Sequence, residues 1–354
     1  MDGADLPATG AHSDPSMNTF IKEKPDRQRL VFEETANTRG VTAHSIEKDF
    51  WVCWTLRDLF NLPGWIGHLT FKGGTSLSKA WGLIDRFSED IDVVIDREFL
   101  GFGGEKLSNK QIEKLRAECS RRILDEMQPA LREKLTAALP DGIKGKAVLR
   151  VDDQDPDRQT LLFEYPSVFE APAEYLRPLV KIEMGARSHI EPHADAVIRP
   201  YLAEDYPSVA PDATFTIRTV LARRTFWEKF MAVHELRLKP DEKRSKDKSL
   251  ARHYYDLHRL IERGIADEAV KDDALFDQVR DHRMKFFRFG WMDYETLKRG
   301  TMNPIPKDEH MADWEKDYSA MRREMFFNDP PDFKTVLKTV EAFATKFNAN
   351  IDEG

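Results

Sequence analysis

Nothing in the 354 residues reads as a membrane span. No apolar run approaches the ~20 residues that a bilayer-crossing helix needs, charged residues make up 33% of the chain, and the mean hydropathy is −0.57. Cysteine is scarce. The two present, Cys53 and Cys119, fall in segments that read as helical and apolar, which suits reduced buried thiols and sets aside both a disulfide framework and a cysteine-ligated metal. A basic excess is also missing: the formal net charge of −8 argues against an obligate non-specific nucleic-acid binder, while leaving room for a local basic patch. The chain lacks a Gly-x-Ser-x-Gly elbow, a Cys–His pair and a GxxxxGK[ST] loop, so acyl-transfer and P-loop mechanisms have no support. No internal repeat is visible. The opening stretch, rich in Gly, Ala, Ser and Pro, has neither the basic start nor the apolar centre of a secretory signal, and residues 1–17 are expected to form a disordered tail of a cytoplasmic protein.

What is present begins with a helix. Over residues 42–60 the apolar positions Ile46, Phe50, Trp51, Trp54, Leu56 and Leu59 recur at helical spacing, and Thr42 is placed to cap them. Residues 68–72 lean toward a strand that stops at Gly73-Gly74, a pair whose missing side chains allow a tight turn and close approach of backbone to a ligand. A helix is expected over 75–83. In Asp90-Ile91-Asp92-Val93-Val94-Ile95-Asp96 β-branched residues dominate, and period-two alternation puts Asp90 and Asp92 on one side of a strand. Residues 111–139 read as an amphipathic helical stretch, and β-like segments follow at 146–151, 159–165 and 179–184. Beyond about residue 200 the pattern turns to long helices, at 219–238, 251–263, 267–287, 308–326 and 333–347. The expected class is α+β: residues 18–200 form a mixed-sheet core with a helical lead-in, and 201–354 a helical lobe.

The chemistry is concentrated in the run from Phe71 to Lys79 and the Asp-x-Asp strand after it. A glycine turn opening a helix presents backbone N–H groups and hydroxyls to phosphate oxygens, which nominates Gly73, Gly74, Thr75, Ser76 and Lys79. Beside it, Asp90 and Asp92 are a pair able to hold Mg²⁺ or Mn²⁺ between those phosphates and an attacking hydroxyl. Taken singly, a Gly-Gly pair is more often a plain turn and an Asp-Ile-Asp a solvated strand end; each half explains the other. The histidines offer less. His189 and His193 are four apart, but Pro192 between them breaks any helix that would aim both at a metal, and they are assigned to a loop. His253 and His258 flank Asp256 as packing or capping residues rather than general bases.

These residues resemble a known family. The glycine turn and the stretch Arg86-Phe87-Ser88-Glu89-Asp90-Ile91-Asp92 are similar to the DNA polymerase β-type nucleotidyltransferases, and more narrowly to the AbiEii/AbiGii toxin branch of type IV toxin–antitoxin pairs. The resemblance runs from residue 42 to 263 and draws on Ile46 to Trp51, Lys181 to Arg187, Arg224 to Lys229 and Arg252 to Leu257 as well. Gly74-Thr75 stands where the family has Gly-Ser, which keeps a hydroxyl. The resemblance implies a third carboxylate on a neighbouring strand, for which Glu183 fits better than Asp152, Asp153 or Glu164. It also implies a catalytic lysine and aspartate on successive helices, here Lys229 and Asp256, where a lysine in an apolar helix would otherwise be read as a snorkelling surface residue. Arg252 offers a guanidinium beside them.

The implied activity is transfer of a nucleoside monophosphate from an NTP to a hydroxyl, catalysed with two Mg²⁺ or Mn²⁺ ions on Asp90, Asp92 and Glu183. The acceptor implied is RNA, with the tRNA 3′ end first, and a cognate antitoxin is the expected partner. Two readings stay beside it: transfer to a protein or small molecule, and a non-catalytic nucleotide-binding module. The basic loop around residues 239–252, with Lys239, Lys243, Arg244, Lys246, Lys248 and Arg252, is a candidate place for RNA phosphates to dock, or a solvated linker.

Overall fold

Gly40, left-handed at φ +67°, ends one helix, Thr42 starts the next by accepting the Ser45 N–H on its hydroxyl at 3.1 Å, and from there the computed structural model follows the expected order of elements closely. It describes residues 16–88, 90–104, 107–169, 177–187, 190–211, 213–244, 250–327 and 329–349. Three helices open the described residues: α1 Ser16–Ile21, α2 Pro25–Arg39 and α3 Ala43–Phe60. Ser16 and Met17, expected in the tail, belong to the first of these, because the Met17 side chain is fully buried in the core. Next come β1 Leu69–Lys72, α4 Gly73–Lys79 and β2 Asp90–Ile95. The amphipathic stretch is α5 Asn109–Arg122 and α6 Gln128–Ala138 joined through a π-helical turn, Ile123–Met127, with the short α7 Asp141–Lys144 behind it. Strands β3 Val148–Val151, β4 Thr160–Glu164, β5 Leu179–Gly185 and β6 His193–Ile198 then lead through α8 Tyr201–Asp205 to β7 Phe215–Val220.

The seven strands form one mixed sheet in the order β3-β4-β5-β2-β1-β7-β6. The strand carrying the two aspartates is central. It runs antiparallel to β1 and parallel to β5, while β7 joins the far side of β1 in parallel. The sheet thus takes β7 from beyond residue 200, and the helix expected from 219 starts only after Val220. Alternation gives the sheet two faces. Phe71, Ile91, Val93, Val180 and Ile182 are buried against α3, α5 and α6, where Trp51 stacks on Tyr165 and Trp54 on Phe163. Lys72, Asp90, Asp92, Lys181 and Glu183 occupy the other face and are only partly covered.

The remaining helices are α9 Ala222–Leu238, α10 Arg252–Glu262, α11 Ile265–Val270, α12 Asp273–Phe286, α13 Met311–Glu324 and α14 Phe333–Ala349. Their apolar stripes close around a second core of Phe226, Trp227, Phe230, Tyr254, Leu257, Phe343 and Phe347. Among the described residues no helix is long and apolar enough to cross a membrane. Both cysteines are unbridged and buried, as their apolar surroundings led us to expect. The two cores meet at the segment between α4 and β2: Phe87 N–H donates to Met325 O at 2.6 Å, and Phe327 N–H to Asp85 O at 3.3 Å. This seam sets the approach of the helical lobe to the aspartates.

Candidate functional site

The turn after β1 is built around one carboxylate. Gly73 has φ +80°, and a Cβ placed there would lie 1.9 Å from Asp92 Oδ2, so no side chain fits and the backbone lies directly against the aspartate. A Cβ on Gly74 would lie 2.9 Å from Arg86 Nη2 and 2.9 Å from Ser88 Oγ. The hydroxyls behind the glycines are already engaged. Thr75 donates to Asp90 O at 2.5 Å and Ser76 to Gly73 O at 2.8 Å, both fully buried. Expected as phosphate contacts, Thr75 and Ser76 instead hold the shape of the turn and the start of β2, because the helix begins at Gly73 and turns them into the interior.

Strand register supplies the rest of this half. Asp92 stands opposite Lys72 of β1 on one side and Glu183 of β5 on the other, and Asp90 stands opposite Lys181. Partners in register share a face, so the Asp-x-Asp pair and the third carboxylate come together from segments ~90 residues apart in sequence. Glu183 forms an ion pair with Lys181, its neighbour two residues back. Of its rivals, Glu164 pairs with Arg150 at 2.9 Å and Asp152 accepts the Gln154 N–H at 3.0 Å. Burial pushes the Asp92 carboxyl up to about 7, and the charges of Glu183 and Asp90 add to it against the pull of Lys72 and Arg252.

The other half comes from the helical lobe. Lys229 on α9 meets Asp256 on α10, Nζ to Oδ2 at 2.9 Å, which brings together the lysine and aspartate that the resemblance implied on successive helices. Asp256 is fully buried and is also gripped by Arg86, whose Nε and Nη2 donate to its two oxygens at 2.7 Å each. Although burial opposes its charge, these two cations hold the Asp256 carboxyl well below the ordinary range. Burial lowers the Lys229 ammonium, with Arg86 and Arg252 pushing the same way against Asp256. Arg252 joins the halves: its Nη1 lies 3.9 Å from Asp90 Oδ2, and its charge acts on both Asp92 and Lys229. His253 Nδ1 lies 3.4 Å from Lys229 Nζ, and burial, reinforced by Lys229 and Arg252, drives its pKa well down, which keeps the ring neutral.

Lys79 does not join the site. Its side chain is 3% exposed, its Nζ sits 2.8 Å from Asp49 Oδ1 and 3.4 Å above the Tyr201 ring, and an ammonium so enclosed cannot reach a phosphate. The reason is helical phase: Lys79 lies at the far end of α4 from the glycines and faces α3. Of the basic loop, residues 245–249 lie outside the described residues, while Arg244 is turned onto His310 at 2.6 Å. His189 also lies outside them, and His193 opens β6 beside Glu191 at 3.1 Å rather than sitting in a loop. Two residues of the site, Arg86 and Lys72, are placed by contacts that the sequence does not show. Arg86 opens the Asp-x-Asp motif but nothing local says where its guanidinium goes. Lys72 closes β1 and pairs with Glu228 at 3.4 Å, which also receives Arg224 at 3.2 Å.

Asp90, Asp92 and Glu183 suit a hard divalent cation: the donors are all carboxylate oxygens, and the Gly73 backbone leaves Asp92 a cradle that any Cβ would fill. A tighter cluster of possible ligands, Asp241, Glu309 and His310, lies elsewhere, but there Arg244 occupies His310 Nδ1 and His310 Nε2 meets Asp241 at 2.8 Å.

The family model described as nucleotidyl transferase AbiEii toxin, type IV toxin–antitoxin system, matches residues 54–347. Among solved structures the chain is similar to MenT4, a nucleotidyltransferase toxin from Mycobacterium tuberculosis, at 16% identity and a TM-score of 0.40, over 89% of this chain and 98% of that one. No curated protein matches the sequence. With more than half of its length matched, the chain belongs to the AbiEii nucleotidyltransferase toxin family of type IV toxin–antitoxin systems.

Proposed function

We propose that this nucleotidyltransferase moves a nucleoside monophosphate from an NTP onto a hydroxyl of RNA, with the 3′ end of tRNA as the acceptor, and that the loss of usable tRNA arrests growth unless a cognate antitoxin intervenes. The observation that carries the reading is the register of Asp92 with Glu183 beside the Gly73 cradle, faced by the Lys229–Asp256 pair. Mg²⁺ or Mn²⁺ on Asp90, Asp92 and Glu183 would neutralise phosphate charge and lower the pKa of the attacking hydroxyl. Gly73 and Gly74 bring main chain close to the phosphates. Lys229 and Arg252 supply positive charge to the triphosphate from the opposite side, and Asp256, held by Arg86, fixes where Lys229 points.

The test is label transfer from each α-³²P NTP to total RNA, with and without EDTA, by the full chain and by Asp92→Ala. Label in a defined RNA that needs metal and Asp92 supports the reading. Label that enters protein, or persists at wild-type rate in the variant, overturns it.

A further inference from the structure

Across the end of α12 the chain reads Lys285-Phe286-Phe287-Arg288-Phe289-Gly290-Trp291, and between His282 and Met292 it carries Arg283, Lys285 and Arg288 with no carboxylate, in a protein of net charge −8. Phe286 is buried in the core and Trp291 packs half-buried against the helical core, but the two rings between them turn outward. Phe287 and Phe289 are 41% and 37% exposed, large for phenylalanines in a chain whose other rings are mostly enclosed. They form a ladder: Phe287 and Phe289 lie 5.9 Å apart, and Phe289 and Trp291 lie 5.0 Å apart within 10° of parallel. The ladder is also held in place. Phe289 N–H donates to Tyr294 Oη at 3.1 Å, Met292 N–H donates to Phe289 O at 3.0 Å, and the Arg283 guanidinium sits 4.7 Å from the Phe287 ring centre. Arg288, between the two phenylalanines, takes φ +46°, a left-handed conformation that a non-glycine adopts rarely.

The strip is tied to the cleft by two contacts. His282 meets Arg187 O at 2.9 Å, and Arg187 follows Glu183 by four residues, at most about 14 Å of extended chain. From the other side Arg283 donates to Glu228 O at 3.3 Å, and Glu228 pairs with Lys72, the strand partner of Asp92.

We propose that Phe287, Phe289 and Trp291 are a stacking platform for unpaired bases of the RNA acceptor beside the cleft, with Arg288 facing its phosphates. The proposal rests on the RNA reading above. Two exposed rings flanking Arg288, one of them nearly parallel to Trp291, match a single strand, because every base has a π-face to stack and the backbone needs counter-charge; Arg283, bound to Glu235, braces the Phe287 ring instead of meeting phosphate. A duplex keeps its bases stacked on one another and offers these rings nothing.

The test uses the full chain and a fluorescein-labelled single-stranded oligoribonucleotide of about a dozen nucleotides, followed by fluorescence anisotropy at several salt concentrations. Phe289→Leu and Trp291→Leu keep apolar bulk but remove the π-face, and each should weaken binding about tenfold or more, while Phe289→Tyr stays near wild type. Arg288→Gln should lower the salt slope by about one. Melting curves of the same variants, all at partly exposed positions, should match the wild type. If the wild type binds the strand and the leucine variants bind it equally well, the platform is wrong and the RNA acceptor stands. If the wild type binds no single-stranded RNA, or prefers duplex, the platform falls, and label transfer to total RNA separately decides whether the RNA acceptor stands. If the leucine variants change only self-association in sedimentation, the strip is a protein-binding face and the proposal is overturned.

Discussion

Asp256→Ala and Lys229→Met should separate stability from catalysis within a single ion-pair cluster. Asp256 is fully buried and is the shared partner of Arg86, at 2.7 Å to each oxygen, and of Lys229, at 2.9 Å. Removing it leaves two enclosed cations facing each other without a counter-charge. Breaking a buried pair in this way costs about 3–5 kcal/mol, and here the broken set contains two cations. Lys229→Met is the milder change. Asp256 keeps both of its bonds to Arg86, an ammonium whose charge burial already disfavours is replaced by an apolar chain of similar length, and repulsion from Arg86 and Arg252 disappears. Its stability should stay within about 1 kcal/mol of the wild type, while nucleotidyl transfer falls by a factor on the order of 10² or more as the triphosphate loses a positioned cation. Urea unfolding and label transfer from an α-³²P NTP give the two readouts on the same preparations. The reasoning is refuted if Asp256→Ala is as stable as the wild type, or if Lys229→Met unfolds as readily as Asp256→Ala.

Three further outcomes are expected. In Gly73→Ala the added Cβ, 1.9 Å from Asp92 Oδ2 on a backbone at φ +80°, must displace the carboxylate, so transfer should drop about 10²-fold with the far-UV circular dichroism unchanged; activity near the wild type would mean that the cradle is not used. Asp92→Asn should abolish transfer and leave the melting temperature equal or higher, because burial and the nearby charges of Glu183 and Asp90 already push that carboxyl up to about 7; a lower melting temperature would count against the like-charge cluster. Glu47 is buried beside Ser167 and Val168, and burial pushes it up from 4.5 to about 7 despite their hydrogen bonds. Its folded pKa lies above its unfolded one, so its contribution is fully present below about pH 4.5 and is lost as pH rises through about 7, a loss of about 3 kcal/mol at 1.36 kcal/mol per unit. Urea unfolding at pH 5 and pH 8 should show that fall in the wild type and a flatter profile in Glu47→Gln; a rise with pH assigned to Glu47 would contradict it.

Sequence alone determined whatever depends on local geometry. Alternation in Asp90–Ile95 was enough to put two carboxylates on one face, Thr42 was legible as a cap because capping spans three residues, and Gly73-Gly74 marked a turn because a left-handed backbone such as that of Gly73 favours glycine. The helical lobe was legible from its apolar period. The resemblance supplied the pairing of Lys229 with Asp256, which no spacing rule contains. Tertiary structure decided the rest, and for one reason: these outcomes depend on which segments pair across long stretches of chain. Glu183 becomes a partner of Asp92 only through the β2–β5 register. β7 enters the sheet beside β1 although it sits next to a long helix in sequence. Arg86 finds Asp256 at a separation of 170 residues. Lys79 is drawn to Asp49, and Thr75 and Ser76 to the backbone, because α4 packs on β1 and β2 with Leu77 in the helical core, and that sets the helix's rotation by its neighbours rather than by its own seven residues.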